Sequence, residues 1–200
     1  MPAPAPALVV EAGTGAGRRE RILDAAEACF IRGGFHRTTM QDIARAAAMS
    51  APNIYRYFAS KEDLVLSLAD REVRRADEQI AALEDGGNVK DALIYIIRHH
   101  FIEITAEKAV LHVEMWAEMT CNPVLGAMHQ DLQQRSAAWF VAALARLATV
   151  EGFDARALYE TIDPLMKGIV VNRALVRGYD PEPAFARLVS LIDERLTGIP

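Results

Sequence analysis

Cysteine is scarce: Cys29 and Cys121 are the only two in 200 residues. Their spacing fits neither a disulfide framework nor a zinc motif. Both fall in apolar helical patterns, which predicts two buried thiols. Long hydrophobic runs are missing too. Charges such as Arg98 and Glu103 interrupt the apolar stretches, and none approaches the roughly 18 residues that a membrane span needs. Strand-like alternation of apolar and polar residues is essentially absent. There is no H-E-x-x-H, no phosphate-binding glycine loop and no nucleophile motif. Residues 1–17 contain no Lys or Arg, and Leu8-Val9-Val10 is too short for a signal-peptide core. This stretch reads as a flexible tail, and the chain as cytoplasmic with no membrane partner.

What is present is apolar content and helical period. Hydrophobic residues make up 52% of the chain, enough for a sizeable core. The net charge of −5 argues at first against nucleic acid, but its distribution matters more. Residues 18–63 hold eight Lys/Arg against six Asp/Glu, a net +2. From Leu64 onward the balance is −6. A mildly basic head on an acidic body suits a protein whose head alone touches phosphate.

The period predicts an all-α fold of about nine helices, over 18–33, 39–47, 50–57, 60–83, 88–107, 109–120, 123–150, 155–177 and 182–197. The expected organisation is a tail over 1–17, a three-helix head over 18–63 and a larger helical body over 64–200. Ile22, Ala26, Cys29 and Phe30 form one stripe of the first helix, which Gly33-Gly34 ends. Phe35 can fold back over that stripe. Thr39 is a natural N-cap, with Asp42 three residues on. Ala48-Met49 makes a tight turn, Ser50 is placed to cap the third helix, and Pro52 lies in its first turn. Ile54 and Phe58 anchor that helix. Ser60 and Asp63 repeat the capping pattern at the fourth.

Two short helices joined by a tight turn make a helix-turn-helix. The outward face of the third helix offers Ala51, Asn53, Tyr55, Arg56 and Tyr57. Asn can make two hydrogen bonds to adenine and Arg two to guanine; Tyr hydroxyls reach phosphate oxygens. Small Ala51 lets the helix start approach closely, and Lys61, Thr39 and Arg37 could hold the backbone on either side. The plain alternative is an ordinary surface on a small bundle, which leaves two aromatics and an Arg on one short helix without explanation.

Arg21-Ile22-Leu23-Asp24-Ala25-Ala26, Gly33-Gly34-Phe35, Thr38 through Ala44 and SAPNIYRYFASKEDL (Ser50 to Leu64) resemble the TetR family of bacterial regulators, over about Arg18 to Leu68. The resemblance implies phosphate contacts from Thr39, Tyr55, Tyr57 and Lys61, and base or groove contacts from Ala51, Pro52, Asn53 and Arg56. Arg37 and Ser50 complete the candidate DNA-binding set. Ala48 departs from the family, which usually has glycine there. A left-handed Ala48 carries strain of about 1–2 kcal/mol, unless the turn is re-shaped.

After residue 70 the resemblance thins. Trp116 to Phe140, with Asn122-Pro123 between two helices, is similar to the effector domain of choline-responsive relatives, a group with many ligands. Tyr95, His99, Phe101, His112, Met115, Trp116, Met119, Met128, Trp139, Phe140, Met166 and Asn172 could line an apolar cavity with a few polar groups. Met and aromatic residues at helical spacing are equally the make-up of a plain core. Glu114 and Glu118 flank Trp116; buried, they would favour an amine-bearing ligand. His99, His100, His112 and His129 suggest a metal, but only His99 and His100 are close, and no carboxylate stands at a recognised ligand spacing. Neither metal nor cofactor is expected.

Leu158, Ile162, Leu165, Ile169 and Val170 form one apolar row near the C-terminus; Phe185, Leu188, Val189 and Ile192 form another. Two such helices per chain could build a four-helix homodimer interface, or close the monomer core. Pro164 is expected to kink its helix and Gly168 to permit close helix approach. The expected function is a ligand-responsive regulator, a repressor released from a palindromic double-stranded operator by a small amphipathic or aromatic effector. A small helical enzyme using body His and Glu residues, or a ligand-free architectural DNA-binding protein, are the competing readings.

Overall fold

The computed structural model describes residues 15–85 and 87–198. The predicted tail lies outside the described residues as far as residue 14, and its last residues join the first helix. Nine α-helices are described: α1 (Gly15–Gly33), α2 (Met40–Ala46), α3 (Ala51–Tyr55), α4 (Lys61–Asp85), α5 (Val89–Ile97), α6 (Ala106–Cys121), α7 (Pro123–Leu147), α8 (Ala155–Leu175) and α9 (Glu182–Thr197). No strand occurs among the described residues, so the all-α reading stands. Two compact units divide between Leu68 and Ala69, with α4 contributing to both.

In the first unit α1 packs on α2, and α2 on α3. The predicted stripe is the core: Ile22, Ala26, Cys29 and Phe30 are buried, with Ile43, Ile54, Phe58 and Leu64. Phe35 folds back as expected, its ring centroid 5.6 Å from that of Phe30. Gly34, at φ 79°, takes the left-handed conformation that ends α1.

In the second unit α6 and α7 pack on each other and on α8, and α5 lies against α7. Burial of Leu93, Ile97, Phe140, Leu144, Ile162, Met166, Leu188 and Ile192 makes one core. The single helix predicted over 88–107 is two pieces. After α5, Arg98–Ile102 forms a π-helical turn, and the chain leaves helix until Thr105 caps α6 by accepting from the Lys108 N–H. The apolar period alone does not reveal such a turn, because Ile97 just before it and Ile102 at its end are both buried.

Further expectations are corrected. Cys29 is buried but Cys121 is exposed, at the last position of α6 where the helix face turns to solvent. Gly168 is not a close-approach site within the subunit, since a Cβ there would meet nothing within 4 Å. That role belongs to Gly126, where a Cβ would stand 2.9 Å from the Met119 carbonyl oxygen in the α6–α7 hairpin. Of the two C-terminal rows, Leu158, Ile162, Ile169, Val170, Phe185, Leu188 and Ile192 are already buried inside one subunit. These seven close the core, while Leu165 of the same rows is exposed and Val189 half-buried.

Candidate nucleic-acid interface and body cavity

The start of α2 is a complete capping box. The Thr39 hydroxyl accepts from the Asp42 N–H at 3.2 Å, and the Asp42 carboxylate accepts from the Thr39 N–H at 3.0 Å. The Thr39 hydroxyl donates to the same carboxylate at 2.6 Å. The Thr39 hydrogen bonds, with Arg45 nearby, hold the Asp42 carboxyl below its ordinary range.

The end of α2 is a Schellman-type closure. Met49 N–H donates to the Ala44 carbonyl at 2.9 Å and Ala48 N–H to the Arg45 carbonyl at 3.2 Å. Ala48 takes the left-handed position of that closure at φ 54°, the one positive-φ non-glycine among the described residues. The strained alternative weighed for this turn is therefore the one realised, at a cost of about 1–2 kcal/mol. Ser50 sits at the N-cap position of α3 but its side chain caps nothing. Only five residues follow as helix, and Pro52 already lacks an N–H. Ser60 does cap α4, accepting from the Asp63 N–H at 3.2 Å, while Asp63 accepts from the Ala59 N–H at 2.9 Å.

The candidates stand as follows. Tyr55 is 54% exposed; Ser50, Pro52 and Arg56 are exposed, and Ala51, Asn53 and Tyr57 half-buried. Ile54 and Phe58 turn inward and anchor this short cylinder. Arg37 is exposed and donates from Nε to the Gly33 carbonyl at 2.8 Å. Lys61 donates to the Phe35 carbonyl at 2.8 Å and lies over that residue's ring, so part of its capacity is spent inside the head. Arg45, exposed on α2, was not among the candidates, although its i,i+3 pairing with Asp42 was readable from sequence.

The body carries a cavity of about 370 Å³, open to solvent on one side, lined by Glu72, Arg75, Ala76, Glu78 and Gln79 of α4 and by Tyr95, His99 and His100; Arg75, Glu78 and Gln79 at its rim are exposed. The Tyr95 and His99 rings stack, 5.6 Å apart and 5° from parallel. His99 meets His100 edge-on at 5.1 Å, and the π-helical turn sets both on the cavity wall. Burial, then His99, lowers the His100 pKa, against an opposing pull from Glu72. Glu72 pairs with Arg75 at 3.4 Å.

Of the twelve ligand candidates, Tyr95 and His99 reach this wall. Phe140 and Met166 are buried in the main core, and Phe101 and Trp116 cover a second small cluster around Val170. Met115 is buried, His112 lies 6.3 Å from Trp116, and Met119 and Met128 are half-buried. Trp139 packs edge-on against Phe140, its Nε1–H without a partner. Asn172 is exposed and donates to the Gly168 carbonyl at 2.8 Å. The α4 wall carries no aromatic or Met signature, because it is built from Glu, Arg, Gln and Ala76. Glu114 and Glu118 are both half-buried. Among the described residues no three His, Cys, Asp or Glu side chains could together hold a metal.

A strained but well-capped helix-turn-helix, with its second helix exposed, on an all-helical body with a polar cavity, defines the class of one-chain helix-turn-helix regulators. The profile of the bacterial tetR-family regulatory proteins matches residues 22–68, and that of the C-terminal part of BetI-type transcriptional repressors matches 100–198. The chain belongs to the TetR family of transcriptional regulators. It is 32% identical over 110 residues to the HTH-type transcriptional regulator UidR of Escherichia coli, which covers 55% of this chain and 56% of UidR. The chain thus matches little more than half of that relative's length. A Saccharomonospora viridis protein solved in complex with choline is 23% identical, with a TM-score of 0.76 over 89% of this chain and 96% of its own. Thermus thermophilus FadR in complex with lauroyl-CoA is 24% identical, with a TM-score of 0.62 over 89% and 94%.

Proposed function

We propose that this protein is a ligand-responsive, DNA-binding transcriptional regulator, acting as a repressor. The observation that carries this reading is the exposed face of α3, with Tyr55 and Arg56 outward while Ile54 and Phe58 hold the helix to its bundle. In this reading residues 18–63 are the DNA-binding domain. Asn53 and Arg56 meet base edges; Thr39, Tyr55, Tyr57 and the remaining donor capacity of Lys61 meet phosphates, with Arg37, Ser50, Ala51 and Pro52 at the edge of the contact. Residues 64–200 form the effector and dimer domain. A two-fold dimer would set two copies of α3 about 34 Å apart or somewhat more, on a palindromic operator.

The effector enters the cavity beside Tyr95 and His99, whose stacked rings suit a small aromatic or amphipathic molecule. The cavity size falls in the usual range for such sites, and two structural neighbours are described with bound small molecules. α4 lines the cavity with Glu72–Gln79 and begins at Lys61 in the DNA-binding unit, so it is the chain connection through which an effector would act. The effector's leverage equals its preference for the released state.

The test is selection of duplexes from a random pool with the full chain, followed by titration of the enriched duplex. Joint replacement of Tyr55, Arg56 and Tyr57 by alanine should weaken binding at least about tenfold. Unchanged affinity would end the reading.

A further inference from the structure

Arg21 stands on α1, 26 residues before the α2–α3 turn, yet its Nη2 donates to the Ala47 carbonyl oxygen at 3.0 Å. Ala47 is the C-cap of α2, and the residue after it is the left-handed Ala48. The two closing hydrogen bonds of the turn use the carbonyls of Ala44 and Arg45. The Ala47 carbonyl follows them, where the helix has ended and no further helical N–H is left to reach it. That carbonyl lies in the peptide plane joining Ala47 to Ala48. Rotating the plane changes ψ of Ala47 and φ of Ala48 together, and these torsions direct the chain into α3, which begins at Ala51. Glycine would tolerate either orientation; alanine resists the one observed. A guanidinium at this carbonyl also places positive charge at the C-terminal end of α2, where the helix dipole favours it. Arg21 is itself an exposed residue whose guanidinium is engaged at this carbonyl; two other cations of the head are committed elsewhere, Arg19 to the Ser67 hydroxyl at 2.8 Å and Lys61 to the Phe35 carbonyl.

We propose that Arg21 is a positioning residue for α3: it holds the Ala47–Ala48 peptide plane in the orientation that a non-glycine at 48 strains, and so fixes the angle at which α3 leaves the turn. The proposal rests on reading α3 as the DNA-contacting helix, and its test separates the two. Full-length Arg21→Gln, Ala48→Gly and the double variant are titrated against the duplex enriched by the wild type, at several salt concentrations. Arg21→Gln should weaken binding about five- to tenfold with Ala48 in place and less than about twofold with glycine there. The salt dependence should keep its slope, because no phosphate contact is lost. An equal loss in both backgrounds, or a slope reduced by about one counterion, would make Arg21 a phosphate contact and overturn the proposal; so would no loss at all.

Hydrogen exchange of the Met49 amide gives a readout without DNA. It should quicken several-fold in Arg21→Gln and return toward its starting value in the double variant, where the turn no longer needs the clamp. Unchanged exchange overturns the positioning role. Should the wild type enrich no duplex, the DNA-contact reading fails alone, and the exchange coupling still decides the clamp.

Discussion

Lys61 Nζ lies 4.4 Å from the centroid of the Phe35 ring and donates to the Phe35 carbonyl oxygen at 2.8 Å, with the His36 carbonyl at 3.4 Å. One side chain at the start of α4 therefore fastens the loop between α1 and α2. The resemblance to known regulators gives the same residue a phosphate contact, and the two roles compete for its three protons. Lys61→Met should cost about 1 kcal/mol of stability, from the lost cation–π contact and carbonyl bonds. It should also lower the salt slope of DNA binding by about one unit. Urea unfolding and a salt titration read the two effects separately; a lost stability with an unchanged slope would leave Lys61 a tie of the head and nothing more.

The head was legible because its determinants are local. A capping box is four residues long, a left-handed turn is one residue, and the stripe Ile22–Phe30 lies on one helix. The α4 wall of the cavity was not legible, since Arg75, Glu78 and Gln79 are exposed side chains of a solvated face in the fold as in the sequence, and only their nearness to Tyr95, His99 and His100 makes them a lining. The dimer rows were ambiguous at the residue level for a related reason. Apolar period identifies a buried face without saying whether the burial is by the same chain or another, and here Leu158, Ile162 and Ile169 meet their own subunit.

His100 supplies a pH signature. Burial is the largest cause lowering its pKa from the ordinary 6.5, aided by His99 and Lys108 and opposed by Glu72. The neutral form is thus favoured in the folded chain. Above about pH 6.5 both states are neutral here and the contribution to stability is whole. As the pH falls from 6.5 toward the lower folded value, the unfolded chain takes up the proton first and stability declines. His129 is lowered in the same direction, by burial and Lys167. The urea midpoint between pH 7.5 and 5 should therefore fall less steeply in His100→Gln than in the wild type. An identical slope would show that His100 is not shielded from water.

The cavity reading makes its own demand. Ala76 is the small residue on the α4 wall, and Tyr95 with His99 forms the flat one. Ala76→Phe adds bulk to the wall, and Tyr95→Ala removes half of the stacked pair. Any small molecule that raises the melting temperature of the wild type should lose most of that shift in both variants, while both still bind the enriched duplex. A hit that stabilises all three proteins equally binds elsewhere, and the effector site would have to be sought among the other half-buried candidates.

Homodimerisation through α8 and α9 is the remaining expectation, and the structure relocates where it should be tested. With most of the predicted rows already buried in one subunit, α8 leaves outward Leu165 of its own row, which is 48% exposed, and then Gly168, Asn172 and Leu175 at helical spacing. Gly168 is the sharper probe of these, because a side chain added there meets nothing within 4 Å of its own subunit. Gly168→Glu should leave helicity and the single-chain core intact while placing a charge against any partner helix. Sedimentation should show the wild type as a dimer and the variant shifted toward monomer. Operator affinity should fall with it, since a monomer engages one half-site instead of two. A variant that stays dimeric with full affinity would move the interface away from this face of α8.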